Sequence, residues 1–178
     1  MVVNAGSKVM AWNDTDVPLA YLITFRTYGT WLPGDERGSI DKFHNKFLGP
    51  RVTPNRVLES QHAKKLKSEP VVLNAKQRSL VREAIEEVCR YRNWKLYAAN
   101  VRTNHGHAVV AAIASSDRVL NDFKSYSTRK LRVNAAWNWD HSPWVDKGSK
   151  RKLWNEKHIY DACNYVNNGQ GDDLPDFL

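Results

Sequence analysis

The sequence predicts an α+β domain in which an antiparallel sheet carries helices on one face. Runs rich in β-branched and aromatic residues alternate with amphipathic stretches at helical spacing. Capping signals mark where the helical stretches begin. The chain has 178 residues, which suits one domain with a sizeable core. Its 42% hydrophobic and 26% charged content excludes a wholly disordered chain.

Residues 1–17 read as a polar, loosely ordered lead-in without the basic start and apolar core of a signal peptide. Leu19 to Thr27 (LAYLITFRT) has the composition of a first strand, broken by Gly29 and by Pro33-Gly34. Residues 34–73 read as an insert of loop and helix. Within it, Thr53-Pro54 resembles a helix start, predicting a short basic helix to about Lys67, with Pro70 as its stop. Asn74-Ala-Lys-Gln77 resembles a capping box, and Leu80, Val81, Ala84, Ile85 and Val88 then recur at helical spacing to about Tyr91.

Trp94 to Val101 and His105 to Ile113 read as two strands joined by a Thr103-Asn104 turn. Ser115, Ser116 and Asp117 can cap the next helix, with Val119, Leu120, Phe123 and Leu131 on its apolar face. After a loop from Asn134 to Ser142, Pro143-Trp144-Val145 and Lys152-Leu153-Trp154 flank a Lys/Gly/Ser stretch and predict a hairpin. A last helix is expected over about Asn155–Asn168, with Ile159, Ala162, Cys163 and Val166 inward and Gly169 as its C-terminal cap. Two helices on one face of an antiparallel sheet, in split βαβ order, form a ferredoxin-like arrangement.

Lys and Arg outnumber Asp and Glu by 27 to 19, giving a net charge of +8 and suggesting an anionic partner such as nucleic acid. The longest uncharged apolar run, Ala108 to Ala114, is far below the roughly 20 residues of a membrane span. The two cysteines, Cys89 and Cys163, fall on apolar helix faces, as buried free thiols of a reducing cytoplasm would.

The chemistry-bearing feature is His105-Gly106-His107. Alternate residues of a strand point to one face, so both imidazoles can reach one metal ion while leaving coordination positions open. A tyrosine opposite that ion would be a nucleophile facing an activated electrophile. Tyr126, Tyr160 and Tyr165 are all candidates, and their chemistry does not separate them. Lys124, Arg129, Lys130 and Arg132 on the second long helix, with Lys147, Lys150, Arg151 and Lys152 in the expected hairpin, could grip phosphates. Trp137, Trp139, Trp144 and Trp154 could stack unpaired bases, although at least half of them are expected in the core.

Four blocks are similar, in order, to the single-tyrosine HUH transposases of prokaryotic insertion sequences, and above all to the REP-associated tyrosine transposases. They are ITFRTYGTWLPGDERGSID at Ile23–Asp41, NHGHAVV at Asn104–Val110, PWVDKGSKRKLW at Pro143–Trp154 and YVNNGQG at Tyr165–Gly171. The resemblance covers about residues 18–171. It implies the HUH endonuclease fold, a metal-binding pair at His105 and His107, a nucleophile at Tyr165 and a polar third ligand at Gln170. It further implies Mg²⁺ or Mn²⁺, cleavage and rejoining of single-stranded, hairpin-forming DNA, and a prokaryotic, nucleoid-associated protein that is monomer or homodimer. The alternative is a domesticated hairpin-binding protein of the same fold without cleavage.

Two departures qualify the match. The residue between the histidines is usually hydrophobic, so Gly106 is expected to weaken packing beneath the strand. Gln170 lies five residues after Tyr165, a rotation of roughly 140° from the tyrosine on a helix. It reaches the metal only if Gly169 ends the helix and redirects the chain; otherwise Asn168 is the ligand.

Overall fold

The computed structural model describes residues 17–36 and 53–171. The expected lead-in up to residue 16 and most of the polar stretch between Asp35 and Thr53 lie outside the described residues. The elements run β1 (Ala20–Thr27), α1 (Arg56–Ala63), α2 (Ala75–Tyr91), β2 (Lys95–Val101), β3 (His105–Ala111), α3 (Ser116–Val133), β4 (Trp144–Leu153) and α4 (Glu156–Asn168). The four strands form one antiparallel sheet in the order β2-β3-β1-β4. This is the α+β architecture expected from the sequence.

Alternation along β1 divides the core in two. Tyr21, Ile23 and Phe25 point into the larger cluster, which Leu80, Val81, Ile85 and Val88 of α2 and Val119, Phe123 and Leu131 of α3 complete. Ala20 and Leu22 point the other way, into a smaller cluster closed by Ala162 and Val166 of α4. The two helices of the split repeat therefore share one face, while α4 covers part of the other. Among the described residues, the remainder of the α4 face is not covered by a helix.

Helix starts follow the capping chemistry. Asn74 accepts from Gln77 N while Gln77 Oε1 accepts from Asn74 N, both at 2.9 Å, so the capping box forms as expected. Ser115 and Asn155 cap α3 and α4. For α1 the cap is Asn55, whose Oδ1 accepts from Leu58 N at 3.0 Å, not the Thr53 of the sequence reading. The helix begins after Pro54 and ends at Ala63, short of Lys67. Cys89 is buried and Cys163 half-buried, both free; burial, with Glu86 nearby, pushes the Cys89 thiol up to about 12.

The expected hairpin is instead one ten-residue edge strand. β4 pairs with β1 from Ala20↔Leu153 to Phe25↔Gly148, then resumes at Thr27↔Trp144, so the strand is irregular over residues 145–147. The Lys-Gly-Ser stretch does not turn because the free edge of β1 satisfies its backbone. Gly148 serves close approach: a Cβ there would lie 2.5 Å from the Thr24 carbonyl oxygen and 2.9 Å from a Leu120 methyl.

Candidate active site

Register fixes what faces the open part of the sheet. Thr24 lies opposite His107 and Arg26 opposite His105, so both histidines share the face of α4. Their rings lie 4.7 Å apart, centroid to centroid. His107 Nδ1 is 2.7 Å from Thr24 Oγ1, and His105 Nδ1 is 2.7 Å from Asn104 Oδ1. Each imidazole is thus oriented through one nitrogen, leaving Nε2 directed to the site. Burial, with the neighbouring His105 opposing a second charge, lowers the His107 pKa to about 3, although a hydrogen bond with Gln170 works the other way. At neutral pH His107 is therefore an uncharged donor.

Gly106 does point away from this face, but packing beneath it is not weakened. Phe25 is its direct partner on β1, and a Cβ at Gly106 would lie 2.9 Å from Phe25 Cζ. The Phe25 ring fills the space, itself held edge-on by Trp144 at 5.0 Å. The loss expected from the sequence is thus replaced by a larger partner from the next strand.

The last turn of α4 brings the remaining groups. The Tyr165 ring lies 5.4 Å from that of His107 and is 46% exposed, open to a substrate. Asn100 Nδ2 donates to Val166 O at 3.0 Å, tying this turn to β2. The helix ends at Asn168, where Gly169 N donates to Tyr165 O at 2.9 Å. The chain then turns so that Gln170 Nε2 donates to the same carbonyl at 3.1 Å, while its Oε1 sits 3.2 Å from His105 Nε2. Asn168 bonds instead to Asn164 on the exposed side of α4. Of the rival tyrosines, Tyr126 packs near Tyr91 of α2 on the opposite face, and Tyr160 is 72% exposed on α4.

Two imidazoles and one amide oxygen make a partial, mixed N/O set. Among the described residues no group of three or more His, Cys, Asp or Glu comes together. The donors therefore fit a hexacoordinate ion that keeps waters and takes substrate oxygens better than a closed tetrahedral zinc site.

The basic residues are divided between the two faces. Arg151 lies opposite Leu22 and thus on the α4 face, with Lys147 exposed further along β4. Lys150 pairs with Asp117, and the Lys152 ammonium lies 5.5 Å from the Trp154 ring centroid. On α3, Arg129 is exposed, Arg132 Nη2 donates to the Trp139 and Asp140 carbonyls, and Lys130 pairs with Glu83 and Glu87 of α2. Lys124 departs from the sequence reading. It is buried, and its ammonium donates to the carbonyls of Val145 (2.8 Å), Asp146 (2.7 Å) and Lys147 (3.4 Å). It braces the irregular part of β4, its ammonium taken up by those three carbonyls, while the residue also lines a cleft beside α3.

Sequence reasoning missed Thr24, Arg26 and Asn100. All three come from strands flanking His105 and His107, and only the pairing of β1 and β2 with β3 brings them to the histidines. The split βαβ order was the signal that could have found them. Trp137 and Trp144 are buried while Trp139 and Trp154 are exposed, so half of the four tryptophans belong to the core.

Among solved structures, a REP-associated tyrosine transposase bound to a REP hairpin is similar over 86% of this chain and 67% of that one, at 13% identity and a TM-score of 0.45. A proposed transposase from Deinococcus radiodurans R1 is similar over 90% of this chain and 97% of that one, at 11% identity and a TM-score of 0.42. No curated protein matches the chain. The family model of IS200-like transposases matches residues 64–168, more than half of the chain, and includes His105, His107 and Tyr165. The chain belongs to the IS200-like transposase family.

Proposed function

We propose that this transposase cleaves and rejoins single-stranded DNA at hairpin-forming palindromes, with Tyr165 as nucleophile beside a divalent ion. The observation that carries this reading is the convergence of His105, His107, Gln170 and Tyr165, from two distant parts of the chain, on the open part of one sheet face. His105 and His107 through Nε2, with Gln170 Oε1, would hold Mg²⁺ or Mn²⁺. When bound, the ion would polarise a phosphoryl oxygen and offset developing negative charge.

The chain's own residues do the rest. Tyr165 loses its phenolic proton to solvent, and its oxygen attacks the phosphorus. The bond from phosphorus to the 3′-oxygen breaks, and that oxygen takes a proton to leave as a 3′-hydroxyl. A 5′-phosphotyrosine link remains, which the 3′-hydroxyl of a second strand resolves by the reverse displacement. Arg26 and Arg151 place positive charge on the same face, where a backbone would cross.

Incubating wild type and Tyr165→Phe with palindromic oligonucleotides from the inverted repeats flanking the gene, in Mn²⁺ or Mg²⁺, tests the reading. Wild type should cleave and Tyr165→Phe should bind without cleaving. Hairpin binding with no cleavage by wild type would leave only the role of a binding module.

A further inference from the structure

The loop between α3 and β4 carries an aromatic cluster that chemistry at Tyr165 does not use. Trp137 is buried, and its Nε1 donates to His141 O at 2.8 Å. The His141 ring lies 5.5 Å from that of Trp137 and 5.8 Å from that of Trp139, with Tyr28 at 6.4 Å. Trp139 is 64% exposed, yet the backbone that carries it is fixed. Arg132 Nη2 donates to the carbonyls of Trp139 at 3.1 Å and Asp140 at 2.6 Å.

Beside this loop, α3 forms one wall of an open cleft of about 560 Å³. Ser125, Thr128, Arg129, Arg132, Asp140 and Ser142 are among its lining residues; Trp139 is not part of the lining but directly precedes Asp140, which is. Arg132 retains N–H donors beyond the nitrogen used for the loop. Asp140, the lining's carboxylate, suits the amine of a base rather than a phosphate.

The cleft lies at the same end of the sheet as the candidate active site, on the other face. Tyr28 N donates to Pro143 O, and Thr27 N donates to Asn104 O just before His105. The loop therefore rejoins the sheet two strand spacings, about 10 Å, from the turn that presents the histidines.

We propose that this cleft and the exposed Trp139 of the adjoining loop together form a second DNA subsite, taking one unpaired nucleotide from the single strand that flanks the hairpin. Its base stacks on Trp139, and its phosphate lies against Arg129 and Arg132. Stacking on an indole is open to any unpaired base and closed to one already paired inside a duplex. The subsite rests on the single-stranded DNA reading above, and it adds a grip outside the catalytic face that selects for single-stranded character.

The test compares affinities of the full chain, without divalent metal, for a palindromic hairpin with single-stranded flanks and for the same hairpin made blunt. Trp139→Ala should weaken binding of the flanked oligonucleotide by roughly 5- to 150-fold, the range for losing one base stack. Binding of the blunt one should be unchanged, and Trp139→Phe should restore most of the loss. A single abasic nucleotide at one flank position should reproduce the loss in wild type and add nothing to Trp139→Ala. Equal losses on both oligonucleotides, or none on either, would overturn the proposal. If Trp139→Ala binds like wild type while wild type cleaves, the subsite is wrong and the cleavage reading stands. If flank binding depends on Trp139 but wild type never cleaves, the subsite stands and the cleavage reading fails.

Discussion

Thr24 Oγ1 lies 2.7 Å from His107 Nδ1, so one hydroxyl on the neighbouring strand fixes which nitrogen of the imidazole faces Tyr165. Replacing it with the near-isosteric Val should raise the Mn²⁺ concentration needed for half-maximal cleavage by about 10- to 100-fold, with rate at saturating metal largely kept. Equal loss at all metal concentrations would mean that Thr24 acts otherwise. His107 also ties stability to acidity. Its folded pKa, near 3, lies below the ordinary 6.5, so between those values the unfolded chain binds the extra proton. In the metal-free protein this contribution is complete above about pH 6.5 and is lost as pH falls toward 3. Urea midpoints measured across that range should fall less steeply for His107→Gln than for wild type. At Gly106 the Phe25 ring occupies the side-chain space, so Gly106→Ala should destabilise by about 1–3 kcal/mol through overpacking, read as a shift in urea midpoint. A stabilised Gly106→Ala variant would show that the ring yields freely.

Among the elements, β4 shows where local signals mislead. Its Lys-Gly-Ser stretch resembles a turn, yet pairing with β1 and the close approach at Gly148 draw it into one strand. The irregular part of that strand has carbonyls that the ladder leaves to Lys124. Lys124→Met keeps the aliphatic packing and removes the donor, so it should cost about 2–3 kcal/mol, measured by chemical denaturation. A cost near zero would show that water serves those carbonyls equally well. Helices were more legible, because their signals are local: the box at Asn74 and Gln77, the cap at Ser115 and the periodic apolar faces of α2 and α3 all recur in the structure. The cap of α1 shifted from Thr53 to Asn55, two candidates of similar chemistry only two residues apart. What sequence could not show was strand register, and with it went Thr24, Arg26 and the burial of Lys124.

For the whole molecule, two dissimilar faces of one sheet divide the work. The face of α2 and α3 holds the larger core, with a polar, basic cleft beside α3, while among the described residues α4 covers only part of the other face, where the candidate chemistry gathers. His105 and His107 are visible in the sequence as a pattern, whereas Tyr165 is set apart from Tyr126 and Tyr160 there only by resemblance; in the structure its ring lies 5.4 Å from that of His107. The turn at Gly169, on which Gln170 depended, forms and carries the amide to His105. The central claim is that Tyr165 carries the covalent link to DNA. Its most direct test is to trap the adduct on a cleavable palindromic oligonucleotide in Mn²⁺, digest the protein, and locate the nucleotide-bearing peptide by mass spectrometry. The account predicts modification at Tyr165 alone, with Tyr126 and Tyr160 unmodified; an adduct on another residue, or cleavage by wild type with no adduct, would contradict it.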